Sequence, residues 1–131
     1  MDELLMKHGM ISWSELITSD LEGAKRFYAQ LFGWELERAP MEEMEYTLVK
    51  SNGRQIGGMM ALTPEMQGAP PNWGIYVTVD DVDATARKAE ELGAKICVPP
   101  RDIPQVGRFC VMQDPQGAFI SAITYVYPKP E

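Results

Sequence analysis

The sequence predicts an α+β fold of two βαβββ repeats with a concave sheet face, and three observations carry that expectation. First, the stretch from Trp13 to Gly33 recurs from Trp73 to Gly93 at a constant offset of 60, keeping Trp13/Trp73, Thr18/Thr78, Asp20/Asp80, Ala24/Ala84, Ala29/Ala89 and Gly33/Gly93 identical. Six identities in 21 positions exceed the roughly one or two expected from background composition. Second, each copy passes from an apolar strand through an acidic cap into an amphipathic helix closed by glycine. Third, each helix is followed by three strand-like segments separated by turn signals.

The elements follow in order. Residues 1 to 9 read as a short, weakly ordered arm. The first strand spans about Ile11 to Thr18, and Ser19 or Asp20 caps the helix, Ser19 and Glu22 having capping-box spacing. Leu21, Ala24, Phe27, Tyr28 and Leu31 share one helical face, and Gly33 supplies the left-handed stop. A strand from Trp34 to Glu37 precedes an acidic, methionine-containing segment over 40 to 45. Tyr46 to Lys50 and Gln55 to Leu62 then pair about Ser51-Asn52-Gly53, since Asn-Gly suits a type I′ turn. Three prolines and a glycine mark residues 63 to 72 as the linker between repeat one (10 to 62) and repeat two (73 to 126).

The second repeat follows the same plan. Trp73 to Val79 is a strand, and Asp80 or Asp81 caps a helix that turns Val82, Ala86, Ala89 and Leu92 inward. Ala94 to Val98 is a strand, and residues 99 to 107 read as a long loop over the ligand face. Arg108 to Gln113 and Ala118 to Tyr125 are strands joined by Asp114-Pro115-Gln116-Gly117, a strong turn signal. Residues 127 to 131 form an extended tail.

Composition narrows the function. The 131 residues are 45% apolar and 24% charged, with a net charge of −7 and a pI near 4.7. That suits one domain of ordinary soluble composition. Acidic balance argues against nucleic acid, which demands a basic face, and against an anionic membrane surface. There is no long apolar run and no signal-peptide core, so the expected location is the cytoplasm. Cys97 and Cys110 flank the loop at 99 to 107 and are expected as two buried free thiols rather than a disulfide.

The paired repeats, together with VMQDPQGAFISAIT near the end, resemble the vicinal oxygen chelate superfamily. That superfamily contains glyoxalase I, extradiol dioxygenases, and the bleomycin and fosfomycin resistance proteins. The resemblance covers about residues 10 to 126. Gly107-Arg108-Phe109 followed by Asp114-Pro115-Gln116-Gly117-Ala118 is similar to small glyoxalase-like members of unassigned activity. It implies two βαβββ units whose curled mixed sheets form an incomplete barrel, and association as a homodimer. In metal-bearing relatives the first and last strands of each unit supply His, Glu or Gln ligands to a Lewis-acidic divalent ion.

Carried onto this chain, the first-strand position of repeat one is Trp13. Its match in repeat two is Trp73, or Gly74 if the register starts from Asp81. The last-strand position of repeat two is Ser121, matched by Ala61 at the offset of 60, or by Met59 if the hairpins differ in length. None is a normal metal ligand, and the single histidine, His8, falls in the arm. The expectation is a protein without a metal or other cofactor.

The residues expected on the concave face make a mainly apolar cup. Strand alternation puts Trp13, Glu15 and Ile17 on one side, joined by Trp73, Ile75 and Val77 and by Phe119, Ser121 and Ile123. Trp13 and Trp73 would sandwich a flat or hydrophobic ligand. Glu15, with its pKa raised by burial, would orient the ligand or act as the catalytic base; in a purely structural role it would instead bond Arg54 or Arg108. Met59 and Tyr46 are further wall candidates, and Arg108 could bind a ligand carboxylate. The Glu42-Glu43-Glu45 cluster reads as solvated. The expected partner is a small, partly apolar molecule, handled by lyase- or isomerase-like chemistry or else sequestered without reaction, as in the bleomycin-resistance branch. A third reading is a metalloenzyme completed by a second chain.

Overall fold

A computed structural model describes residues 3–40, 45–64, 70–104 and 106–126. Much of the expected acidic segment, part of the linker and the tail lie outside them. The element order is β1 (Ile11–Thr18), α1 (Leu21–Phe32), β2 (Glu35–Arg38), β3 (Thr47–Ser51), β4 (Arg54–Ala61), β5 (Asn72–Thr78), α2 (Val82–Glu91), β6 (Lys95–Ile103), β7 (Gly107–Gln113) and β8 (Phe119–Tyr125). This is the expected α+β arrangement of two βαβββ repeats. Each repeat forms an open mixed sheet, in strand order β2-β3-β4-β1 in the first and β5-β8-β7-β6 in the second. First and last strands pair parallel, β1 with β4 and β5 with β8, and the other pairs within each repeat are antiparallel.

The chain divides into two compact units, Trp13–Gly74 and Ile75–Glu131 with Met1–Ser12. In the first, Leu16, Leu21, Val49 and Met59 form the core between α1 and its sheet, flanked by Ala24, Tyr28, Trp34 and Leu36. Asp20, rather than Ser19, caps α1 by accepting a hydrogen bond from the Gly23 N–H at 2.9 Å. Gly33 stops the helix at φ 72° and bonds back to the Ala29 carbonyl. Asn52 and Gly53 take φ 54° and 78°, as a type I′ hairpin requires. Phe27 and Leu31, expected inward, are exposed, as is Phe32.

In the second unit Val79, Val82, Ala86, Cys110 and Ala122 form the core, with Val77, Ile96 and Met112 packed against it. Asp81 caps α2 through the Ala84 N–H at 3.1 Å. The arm is more ordered than expected, containing a 3-10 helix over Glu3–Met6. Thr78 Oγ1 lies 2.6 Å from the Leu5 carbonyl and 2.8 Å from Ser12 Oγ, which lies 2.8 Å from the Tyr125 hydroxyl. His8 is not a loose tail residue, since its Nδ1 accepts the Asp80 N–H at 3.0 Å.

Two further expectations fail here. The long loop after Val98 is replaced by continued pairing of β6 with β7 as far as Ile103 opposite Gly107. Pro99 and Pro100 are tolerated because β6 is an edge strand with register shifts on both sides of Val98. Cys97 is exposed, and only Cys110 is buried; both thiols are free.

Candidate functional site

Strand alternation sorts the expected site residues into two groups. On β1, Leu16 enters the core under α1, so Trp13 and Glu15 point to the opposite face. There they meet Tyr46, immediately before β3. The Trp13 indole N–H donates to the Tyr46 hydroxyl at 2.8 Å, and that hydroxyl donates to Glu15 Oε2 at 2.7 Å. Glu15 is 7% exposed, whereas Trp13 and Tyr46 are half-buried. A carboxylate at that depth requires compensating hydrogen bonds. The phenol provides one, and the indole fixes the phenol. Tyr46 is held along its backbone too, its carbonyl accepting the Ala39 N–H at 2.8 Å.

One participant escaped the sequence reading. Gly58 pairs with Glu15 on one side and Leu48 on the other, and a Cβ at this position would overlap the Tyr46 hydroxyl and ring. The phenol lies across β4 because residue 58 has no side chain. The available signal was the Gly57-Gly58 pair inside a strand, which marks the close approach of another group.

Three expected residues belong to the helix-facing side instead. Met59 pairs with Leu16 and is fully buried in the α1 core, not in a ligand wall. Arg108 shares its face with Cys110 and Met112 and reaches α2. Its Nε and Nη2 bind the two Asp83 oxygens at 2.8 and 3.0 Å, and Nη1 bonds Asp102 at 3.1 Å. This fork lowers the Asp83 pKa and raises that of Arg108. Arg108 is therefore committed to carboxylates of its own chain. Glu15 takes Tyr46 among its partners, while the guanidinium at 108 takes Asp83 and Asp102.

Trp73 is the third. It is 40% exposed, and its indole N–H donates to the Tyr28 hydroxyl of α1 at 3.0 Å. Its ring meets Tyr28 edge-on at 5.4 Å and Trp34 at 5.9 Å. It joins an aromatic cluster against α1 and makes no sandwich with Trp13.

The cause is a shift of one residue. Caps Asp20 and Asp81 align the repeats at an offset of 61, so Trp13 matches Gly74 and Glu15 matches Tyr76. Strand and cap keep this offset of 61 together, since Leu16 and Val77 both face their helix cores, and only the second helix, which reaches its closing glycine one residue sooner, departs from it. Gly33 and Gly93 therefore stand 60 apart, which favours the misleading offset of 60. A slip of one residue in a strand reverses every side chain. Accordingly Val77, expected on the ligand face, packs against the α2 core. Tyr76 points the other way, with its ring 6.3 Å from that of Phe109.

Ser121 keeps its expected face. It is half-buried, pairs with Tyr76 on β5 and Val111 on β7, and its neighbour Ala122 enters the core. Nearby on the same strand face, burial pushes the Tyr125 hydroxyl pKa up, against the opposing effect of its bond to Ser12. Because Ser121 pairs with Tyr76 and Gly58 pairs with Glu15, Gly58 is the first-repeat counterpart of Ser121; neither Ala61 nor Met59 is. The four positions that hold a metal in the resembled superfamily thus carry Trp13, Gly58, Gly74 and Ser121. One neutral hydroxyl among them does not fit a divalent ion. Among the described residues no three His, Cys, Asp or Glu side chains form a metal-holding group.

Comparison with known proteins agrees with this architecture. The sequence model of the Glyoxalase/Bleomycin resistance protein/Dioxygenase superfamily matches residues 10–121. A Mycobacterium tuberculosis protein that carries the provisional name glyoxylase CFP32 is 40% identical over 92% of this chain and 46% of its own length. The anthracycline biosynthesis protein DnrV of Streptomyces peucetius is 28% identical over 84% of this chain and 45% of its own. The chain therefore spans about half the length of these relatives. Among solved structures, a Streptomyces coelicolor methylmalonyl-CoA epimerase superposes with a TM-score of 0.67 at 18% identity, covering 92% of this chain and all of the other. At that identity the likeness speaks for the fold alone. No helix among the described residues is long and apolar enough to cross a membrane.

Proposed function

Because the chain belongs to the glyoxalase/bleomycin resistance protein/dioxygenase superfamily, we propose that it binds a small, partly apolar molecule against Trp13, Tyr46 and Glu15 and acts on it without a metal. The observation that carries this reading is the hydrogen-bonded line from Trp13 through Tyr46 to buried Glu15, on the sheet face turned away from α1. Trp13 offers an apolar surface with a fixed edge, and Glu15 offers a proton acceptor. In an isomerase- or lyase-like step, Glu15 takes a proton from a carbon acid and the electron pair moves into the adjoining carbonyl. An isomerase returns the proton to the same carbon, whereas in a lyase the carbonyl re-forms as a group on the β-carbon leaves with its electron pair; in neither is anything oxidised or reduced or a co-reactant consumed. That methylmalonyl-CoA epimerases share the fold supports this class of step and leaves the substrate unassigned.

The second reading is sequestration without reaction. It is favoured by Tyr46, whose hydroxyl already both accepts and donates within the protein. One experiment separates the two: a panel of small carbonyl compounds and planar aromatic acids, screened for binding by calorimetry and for turnover by NMR. Proton exchange or conversion that disappears in Glu15→Gln while binding persists supports the enzyme. Binding with no turnover in the parent protein supports sequestration, and no binding to the parent discards both.

The chain is further proposed to work in the cytoplasm as a homodimer. The exposed apolar row of Phe27, Leu31 and Phe32 on α1 motivates the dimer. Sedimentation equilibrium yielding the 14.7 kDa mass of one chain at working concentrations would discard it.

A further inference from the structure

We infer that Tyr46 occupies the place of a missing metal-ligand side chain, and that Gly58 is the positioning residue that admits it. The inference rests on the reading of the Trp13, Tyr46 and Glu15 face as the site, and it follows from the internal symmetry of the two repeats. In each repeat the last strand lies parallel to the first, and the residue facing the site from the last strand pairs with the residue five before the helix cap. In repeat two these are Ser121 and Tyr76; in repeat one they are Gly58 and Glu15.

The Cβ direction at Gly58 leads into the Tyr46 hydroxyl. The phenol therefore fills the volume into which a side chain on the last strand would project. It arrives from the residue just before the neighbouring strand β3, with its carbonyl fixed by Ala39, and substitutes a hydrogen-bonding group for a coordinating one. Trp13, at the first-strand ligand position of the same repeat, then binds this phenol through its indole N–H. The two ligand positions of this repeat thus meet in one hydrogen-bonded unit with Glu15 at its end. Residue 58 acts only through Tyr46: any side chain there displaces the phenol, breaks its bonds to Trp13 and Glu15, and leaves the buried carboxylate without that donor.

The test uses the full chain with Trp34→Phe and Trp73→Phe, which leaves Trp13 as the sole indole. Gly58→Ala, Tyr46→Phe, Tyr46→Ala and Gly58→Ala/Tyr46→Ala are compared by urea unfolding and by Trp13 emission. The expected result is that Gly58→Ala lowers the urea midpoint in the presence of Tyr46 and that at least half of this loss disappears in the Tyr46→Ala background. Gly58→Ala and Tyr46→Phe should also shift Trp13 emission in the same direction and to a similar extent. An equal midpoint loss with and without Tyr46, or unchanged Trp13 emission in folded Gly58→Ala, overturns the inference. Should Gly58→Ala not fold, recovery of a folded protein in the double variant is the expected outcome, and failure to recover overturns the inference too. No ligand enters these measurements, so their failure is distinct from failure of the proposed function, which appears as loss of binding with the Gly58–Tyr46 coupling intact.

Discussion

Trp13 and Trp73 open the same repeated stretch and end on opposite sides of their strands. Trp13 lies on the face away from its helix, bonded to Tyr46 and in line with Glu15. Trp73 lies against α1, in an aromatic cluster with Tyr28 and Trp34. Helix caps fix the register of the two strands, and the caps are offset by one residue more than the identities are. The repeats keep one plan of fold, while a difference of one residue in register puts the two tryptophans on opposite faces. The two repeats are thus alike in architecture and unlike in chemistry: one face carries a buried carboxylate under a phenol, its counterpart Tyr76 beside Phe109.

The comparison breaks most sharply at neighbouring positions on β4. Met59 faces the helix core and is fully buried, so Met59→Ala should cost about 2–5 kcal/mol in urea unfolding. Met59→Leu, which keeps most of the volume, should cost less than about 1.5 kcal/mol. A loss below about 1 kcal/mol for the alanine variant would return Met59 to the ligand wall. On the other face, Gly58→Ala should cost about 1–3 kcal/mol through the clash with Tyr46. Ser121→Ala, at the matching position of repeat two, should stay near 1 kcal/mol or below. Equal costs at 58 and 121 would remove the asymmetry between the repeats.

Much of this was legible in the sequence, and the failures have a common physical source. Element order, both helix stops, the Asn52-Gly53 hairpin and the Asp114 turn depend on local chemistry: Asp114 Oδ1, for example, accepts the N–H groups of Gln116 and Ala118. Trp13, Glu15 and Tyr46 were all named from the sequence and are brought together. Trp73 and Met59 were misplaced because facing in a strand is a parity, and parity is lost with one residue of misalignment. Aligning on the caps, which give Gly74 as the partner of Trp13, corrects Trp73. Pairing of the last strands corrects Met59, but that pairing is tertiary information. Arg108 was offered to a ligand carboxylate because its actual partner, Asp83, stands 25 residues away on α2 and is brought to it only by tertiary packing. Gly58 passed unnoticed because a glycine has no chemistry of its own to recognise.

The Arg108 reassignment yields a pH test in the second repeat. Arg108 holds the Asp83 carboxyl below its ordinary value. Its contribution to stability is therefore complete above the unfolded carboxylate pKa, at about 4, and is lost as pH falls through the lower folded value. Asp83→Asn should flatten the acid limb of the urea midpoint against pH below about pH 4 and alter its slope little between about pH 6 and 8. An unchanged acid limb would mean that Arg108 does not engage Asp83 in solution.

The smallest expected effect concerns the thiols. Cys97 is exposed and Cys110 buried, with the Cys110 pKa raised by desolvation. One thiol per native chain should react with a disulfide reagent at pH 8, and two after denaturation. Reaction of both in the native protein would contradict the packing of β7 under α2.

The central claim is that ligands meet the Trp13 face and not the Trp73 cluster. Crystals soaked with a library of small aromatic and carbonyl fragments test it most directly. The account predicts fragments in contact with Trp13 and Tyr46, lost from crystals of Glu15→Leu or Trp13→Ala and retained in those of Trp73→Phe. Fragments gathered against Trp73 and Tyr28, with none beside Trp13, would contradict it.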